Sequence, residues 1–364
     1  MSARGDGGDP TRRSNAGDAF AGRRLKVGVV GVGSLGFHHA RLLRDLPGAQ
    51  LVGVHDTDPA RLAEVGQKLE VRTFASMEAL ADEVEAAVIA VPTTWHEKVA
   101  RAVLRHGIHV LIEKPIAPTL GEADRILADA AAVGATVQIG HVERFNGALR
   151  ACERYIEEPL FVECHRLAPF GPRGTDVAVV LDLMIHDLDL VLSLMGRPVT
   201  GIAAVGVPVL TASPDIANAR LEFEGGGVAN LTASRVSVER TRKIRFFQRS
   251  GYISLDLATG RGEFLRLKPE AAAALALVGS LGAGTDGSGP TLPPGVSGLA
   301  DIVERIELEG DGAEPLRCEL ESFVAAARGE APVAVTGRQG RDALAVALEI
   351  VRRIERHVVE TATP

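Results

Sequence analysis

Three side chains in this sequence combine the charge and proton affinity needed to oxidise an alcohol: Lys114, Asp182 and His186. Lys114 stands in Glu113-Lys114-Pro115, just after the β-branched run His109–Ile112. The proline keeps Lys114 out of a helical conformation and makes a cis peptide affordable, which would fix the direction of the lysine. An ammonium so placed lowers the pKa of a nearby hydroxyl and stabilises developing alkoxide charge. Asp182 and His186 belong to a segment, 176–195, that is apolar nearly all round and therefore predicts a buried helix. Four of its few polar residues, Asp182, His186, Asp189 and Ser193, are spaced by four, three and four, so they share one stripe. Carboxylates and an imidazole are costly to bury without partners, so the stripe faces a polar network or lines a site. Asp182, one turn before His186, can hold the ring and support its charged form, as a general base requires. A satisfied His–Asp network without a catalytic part is the plainer alternative. No His-x-x-x-His or cysteine pair supports a metal, and none is expected.

A second constellation lies upstream. Gly31-Val32-Gly33-Ser34-Leu35-Gly36 follows a strand-like run and opens a helical one. Glycines at 31, 33 and 36 allow a tight turn, close approach to a pyrophosphate, and close helix–strand packing. The helix start at Ser34 and Leu35 offers backbone N–H groups to phosphate. Asp56 ends the second strand-like run, where its carboxylate can accept both ribose hydroxyls and would repel a 2′-phosphate. The nearest following base is Arg61, so NAD is favoured over NADP. Thr93 and His96 leave the fourth strand on the same edge and could line the nicotinamide end, although His96 alone reads equally well as a surface residue at a helix start.

These residues need elements to position them. Residues 24–145 alternate short apolar strands (26–31, 50–55, 71–74, 85–91, 109–112, 136–140) with helices opened by Asp58-Pro59 and by capping boxes at Thr94 and Thr119. That rhythm calls for a doubly wound parallel (Rossmann) sheet of six strands. From 146 to 335 strand-like runs at 160–166, 202–208, 217–223, 229–235, 243–248 and 252–257 predict an α+β domain with a large, mostly antiparallel open sheet for substrate binding and oligomerisation. Residues 1–23 read as a disordered tail, 276–300 as a long loop, and 336–364 as a C-terminal helix and tail. An open sheet leaves a face to cover, so a homodimer or homotetramer is expected.

Composition excludes several classes. Of 364 residues, 46% are hydrophobic and 24% charged, as in an ordinary globular enzyme, and the net charge of −7 offers no footprint for nucleic acid or an anionic membrane. No apolar run spans a bilayer or forms a secretory signal. Cys152, Cys164 and Cys318 are far apart in sequence and read as reduced thiols of a cytoplasmic protein.

Taken together, Gly31–Gly36, Glu113-Lys114-Pro115, the Asp182-x-x-x-His186-x-x-Asp189 segment and the distal Glu314-Pro315-Leu316 resemble the Gfo/Idh/MocA family of oxidoreductases over most of residues 25–357. Gly140–Asn146, Arg166–Phe170, Leu181–Asp187, Lys243–Gln248 and Tyr252–Asp256 are similar to its UDP-N-acetylglucosamine 3-dehydrogenase type. The resemblance implies Lys114, Asp182 and His186 as catalytic residues, with Lys114 and His186 able to exchange roles. It implies Glu113 and Arg144 at the cofactor, Asn146 at the substrate, and NAD-dependent oxidation of a sugar-nucleotide C3 hydroxyl on the way to a diamino sugar for lipid A, with an aminotransferase downstream. Arg166 and Arg173 are candidate diphosphate ligands, because guanidinium forks match phosphate oxygens; a cross-strand ion pair is the other reading of Arg166. Oxidation of a free polyol or monosaccharide, and a non-enzymatic NAD-binding regulator, are the rival functions.

Overall fold

The computed structural model describes residues 22–171, 177–268, 270–271 and 299–362. The chain forms two compact units, one of Met1–Gly140 and Leu316–Arg338, the other of His141–Pro315 and Gln339–Pro364. Most of the expected N-terminal tail and 276–300 loop lies outside the described residues.

In the first unit, β1 (Leu25–Val30), β2 (Ala49–His55), β3 (Ala86–Ile89), β4 (His109–Glu113) and β5 (Val137–Gly140) form a parallel sheet in the order β2-β1-β3-β4-β5. Between them run α1 (Ser34–Arg44), α2 (Pro59–Leu69), the short α3 (Met77–Ala81), α4 (His96–Leu104) and α5 (Leu120–Val133). The strands are nearly continuous apolar runs because both faces are covered. Two helix starts follow their side chains: Asp58 accepts the N–H groups of Ala60 and Arg61, and Thr119 accepts that of Glu122 while its hydroxyl donates to the Glu122 carboxylate.

The first unit departs from expectation in three places. The sheet has five strands, because 71–74 contributes a single bridge, Thr73 to Val54. Thr94 does not cap a helix; Pro92 leads into a 3₁₀ turn, Thr93–Trp95, and α4 starts at His96. Helix α9 (Pro315–Ala327, numbered after the helices below) packs Leu320, Phe323 and Val324 against Leu43, Val54 and Leu111, so it belongs with the first core rather than with residues 146–335.

The second unit is built on eight strands in the order β13-β12-β11-β10-β6-β9-β8-β7. These are β6 (Phe161–Leu167), β7 (Val199–Val207), β8 (Ile216–Phe223), β9 (Val228–Ser234), β10 (Thr241–Gln248), β11 (Gly251–Asp256), β12 (Arg261–Leu267) and β13 (Val303–Glu309). Only β6 and β9 pair in parallel. The edge strand β13 and its neighbour β12 are hard to read in the sequence because charged side chains crowd their alternation: Arg261, Glu263 and Arg266 pair across to Glu309, Arg305 and Glu304. One face of the sheet carries Val162, Cys164, Leu231, Ile244 and Phe246 into a core shared with α6 (Gly147–Cys152), α7 (Ile185–Met195) and the later turns of α10 (Gly337–Ala362). A four-residue helix, α8 (Leu299–Ile302), precedes β13. On the opposite face Phe161, Phe247 and Tyr252 stack in a row, with ring centroids 5.4 and 4.9 Å apart.

The expected uniform helix at 176–195 is in fact a π-helical turn, Val180–Met184, running into α7. Residue 176 is outside the described chain. Asp182 lies in the wide turn and His186 at the start of α7, both half-buried. Such turns recur at functional sites because they re-aim side chains within a helix.

Candidate active site

The glycine loop forms at the carboxyl end of β1, beside the point where sheet order reverses between β1 and β3. Gly31 has φ +84°, and a Cβ there would lie 2.8 Å from the Ala90 carbonyl oxygen. A Cβ on Gly36 would sit 1.8 Å from the Gly31 oxygen, so both glycines are required by backbone packing. Gly33 differs. It caps α1 without a side-chain hydrogen bond and faces open space, so its backbone is approachable where Ser34 and Leu35 begin the helix. Asp56 holds the loop: Oδ2 accepts the Val32 N–H at 2.7 Å and Oδ1 that of Asp58 at 2.9 Å. Arg61 donates to the Val32 and Gly33 carbonyls and to Glu64, which commits its guanidinium to protein acceptors instead of a 2′-phosphate. A cleft of about 1150 Å³ runs from Gly31, Gly33 and Asp56 past Ser76 to Pro92 and Trp95. An approachable helix start, an anchored acidic residue at the end of β2 and a cleft of this size fit a bound NAD.

Lys114 follows β4 directly, is half-buried, and joins Pro115 through a cis peptide bond. Its N–H donates to Glu113 Oε2 at 3.3 Å. Glu113 is buried with Oε1 2.7 Å from His39 Nε2, so its side chain is turned into the protein and not toward a cofactor. His96 is also buried, with Nδ1 2.9 Å from the Pro115 carbonyl oxygen and Nε2 2.9 Å from that of Val91. Burial lowers its pKa against the pull of those carbonyls. His96 therefore ties the turn after β3 to the turn after β4 and does not line an open nicotinamide site. Thr93, half-buried in the 3₁₀ turn, stays on the cleft edge of β3.

In the second unit the polar stripe divides. Arg144 donates to both carboxylate oxygens of Asp189 and to the Ser193 hydroxyl, so those three satisfy one another, and Arg144 is a structural cation here. Asp182 and His186 make up the other half. The His186 ring meets His141 edge-on, with centroids 6.4 Å apart and planes at 90°. Arg166 is 4% exposed, and its fork is taken by Asp187 and Glu143. It forms neither a diphosphate site nor a cross-strand pair, but a strand-to-helix ion pair. Asn146 caps α6 by accepting the Ala148 N–H and donates to Glu143 and the Leu257 carbonyl, so both its donors are committed and, at 5% exposure, its side chain is turned into the protein. Arg173 is outside the described residues. Lys114 thus belongs to the first unit, and Asp182 and His186 to the second.

Sequence reasoning passed over His39, His141 and Glu319, all at most 1% exposed. The available signal was weak: His39 lies three residues after Gly36 on the inward side of α1, and Glu319 precedes the core residue Leu320 on α9. Arg242, whose guanidinium lies 3.5 Å from Glu143 with its side chain 41% exposed, was also missed, because one arginine among several on a strand carries no local mark. Cys152 is buried with its thiol pushed up to about 12, mainly by that burial, and so is unreactive.

Residues 25–141 match the Gfo/Idh/MocA oxidoreductase family, NAD-binding Rossmann fold, and residues 153–254 match a Gfo/Idh/MocA C-terminal domain. The chain is 37% identical to the UDP-N-acetylglucosamine 3-dehydrogenase of Acidithiobacillus ferrooxidans over 91% of its own length and 97% of that enzyme's. A solved structure of that enzyme superposes with a TM-score of 0.80 at 36% identity, covering 92% of this chain and 98% of that one. Inositol 2-dehydrogenase 4 of Saccharopolyspora erythraea is 33% identical, but over only 50% of this chain and 58% of that enzyme. Among the described residues no helix is long and apolar enough to cross a membrane. The chain belongs to the Gfo/Idh/MocA family of NAD-binding oxidoreductases and is an NAD-dependent enzyme acting on CH–OH groups.

Proposed function

We propose that the chain oxidises the C3 hydroxyl of UDP-N-acetylglucosamine to the 3-keto sugar nucleotide. The observation that carries this reading is the 37% identity running nearly end to end along the Acidithiobacillus ferrooxidans enzyme, through both structural units, where the inositol dehydrogenase match stops at half the chain. Bound NAD supplies the hydride acceptor at nicotinamide C4. In this reading His186, supported by Asp182, is the group that accepts the hydroxyl proton, and the Lys114 ammonium is the group that stabilises charge developing on oxygen. The products are the ketone, NADH and one proton. With Arg166 committed to Asp187 and Glu143, the half-exposed Arg242 is the better placed guanidinium for an anionic diphosphate.

The reading extends to a cytoplasmic homodimer or homotetramer that hands its ketone to an aminotransferase, toward a diamino sugar for lipid A. The row Phe161–Phe247–Tyr252, with Phe247 exposed and the other two half-buried, supports the assembly, since an open sheet face bearing stacked aromatics gains by being covered. Turnover of a panel of UDP-sugars and free polyols tests the substrate. Turnover of UDP-N-acetylglucosamine is expected, and turnover of a free polyol alone would keep the chemistry and overturn the substrate. Sedimentation at micromolar concentration tests the assembly, and a monomer would contradict it.

A further inference from the structure

Apart from His96, the first unit buries four polar side chains that the proposed reaction does not use directly: His39 on α1, Glu113 at the end of β4, Gln138 on β5 and Glu319 on α9. None is more than 7% exposed, and their surroundings are apolar, with Leu43, Leu111, Leu320 and Phe323 in the same layer. His39 Nε2 is 2.7 Å from Glu113 Oε1, and the Gln138 amide donates to the Glu319 backbone carbonyl at 3.1 Å. One side-chain nitrogen or oxygen from each of His39, Glu113 and Glu319 lies within 4.8 Å of the other two. The second Glu113 oxygen accepts the Lys114 N–H, and Gly140 leaves it room, since a Cβ there would stand 3.1 Å from Oε2. Both carboxylate oxygens of Glu319, fully buried, lack a hydrogen-bond partner among the described residues.

Two ionised carboxylates this close, with one imidazole beside them and no solvent, are strongly disfavoured. Burial, and then the neighbouring Glu113, push the Glu319 carboxyl well above the usual carboxylate range. At Glu113 burial pushes upward too, but the His39 hydrogen bond and the charges of His39 and Lys114 outweigh it and hold that carboxyl low. Carboxyl groups driven apart in this way keep one proton between them, on the group without a cationic neighbour.

We propose that Glu319 is a positioning residue: a neutral carboxylic acid packed within 4.8 Å of Glu113 that, opposite the hydrogen bond from His39, confines by contact the carboxylate that holds the Lys114 backbone. The inference rests on the role given to Lys114 above. It assigns α9, far from Lys114 in sequence, a part in aiming the lysine at the substrate.

Two readouts test it. At neutral pH the infrared spectrum of the native chain contains a protonated-carboxyl stretch that Glu319→Gln removes. In kinetics with NAD and UDP-N-acetylglucosamine, Glu319→Gln keeps a neutral donor of the same shape and holds kcat within about threefold, whereas Glu319→Leu lowers kcat by about tenfold to a hundredfold with KM for NAD within about twofold. Should Glu319→Leu fail to fold, Glu319→Asp takes its place, because it keeps the proton and withdraws it by one methylene; its kcat falls between the other two. Absence of the infrared band, a Gln variant as impaired as the Leu variant, or stoichiometric zinc or manganese in the native protein would each overturn the proposal. Lys114→Ala is run separately: if it turns over normally, the role of Lys114 fails, while the infrared band still reports on the proton of Glu319.

Discussion

Arg166 grips Asp187 with two hydrogen bonds, Nε to Oδ2 at 2.9 Å and Nη2 to Oδ1 at 2.7 Å, and sends a third to Glu143 at 2.8 Å. The pair locks β6 to α7 one residue beyond His186, so the direction of the candidate base depends on an ion pair that takes no part in the chemistry. A fully buried guanidinium shared by two carboxylates is costly to assemble and costlier to leave incomplete.

Arg166→Met should therefore destabilise the chain by about 3–5 kcal/mol, because it strands the buried Asp187 carboxylate and takes from Glu143 its nearest cation. Urea unfolding of the two proteins checks this. A loss below about 1 kcal/mol, the range of exposed ion pairs, would mean that the cluster is solvated.

The two kinds of glycine in the nucleotide loop should separate cleanly. Gly33→Ala meets no neighbour within 4 Å, so the variant should melt within a few degrees of the native chain yet bind NAD at least about tenfold more weakly, where its methyl group blocks the pyrophosphate. Gly36→Ala collides with the Gly31 carbonyl and should lose both stability and binding. Thermal melts and NAD titrations check the pair, and tight NAD binding by Gly33→Ala would place the pyrophosphate elsewhere.

Asp56→Asn removes the anion that holds the Val32 N–H and would meet the ribose. It should lower kcat/KM for NAD by about tenfold or more and narrow the preference over NADP, since the repulsion of a 2′-phosphate is gone. Steady-state kinetics with both cofactors checks it; an unchanged ratio would remove Asp56 from cofactor selection.

Asp215 carries a pH signature. Burial opposes its charge, but the N–H groups of Leu210 and Thr211, the Thr211 hydroxyl and the Val209 N–H overcome that penalty and hold the carboxyl well below its usual range. A depressed folded-state pKa contributes stability that is complete above the unfolded value of about 4 and is lost as the pH falls toward the folded one. The stability gap between the native chain and Asp215→Asn should therefore be constant near neutrality and shrink below about pH 4. Denaturant titrations at neutral and acid pH decide the matter, and a gap that widens in acid would contradict the assignment.

Much of this architecture was legible in the sequence because local rules and tertiary packing agree there. The strand–helix alternation, the Asp58 and Thr119 caps and the glycine loop each have a physical signature a few residues long. The polar stripe on the apolar segment was legible as well, but not how it would be satisfied. Arg144, about 45 residues before Asp189 and Ser193, takes two of the four residues, and nothing local announces that meeting. The same holds for Arg166, whose partners come from a helix and a turn, and for His96 and Glu113, whose side chains turn inward to groups that only the fold brings near. The polar side chains that stand out in the sequence are thus taken in several cases by other protein groups, which only the fold brings within reach.

The most direct test of the account is NADH formation by the purified chain with NAD and UDP-N-acetylglucosamine, with an aminotransferase added to remove the ketone, alongside Lys114→Ala and His186→Ala. The account predicts turnover by the native chain and a loss of about 10²-fold or more in kcat for each variant, the range expected for a positioned acid or base. Tight NAD binding with no turnover of any sugar nucleotide, or full activity in either variant, would contradict it.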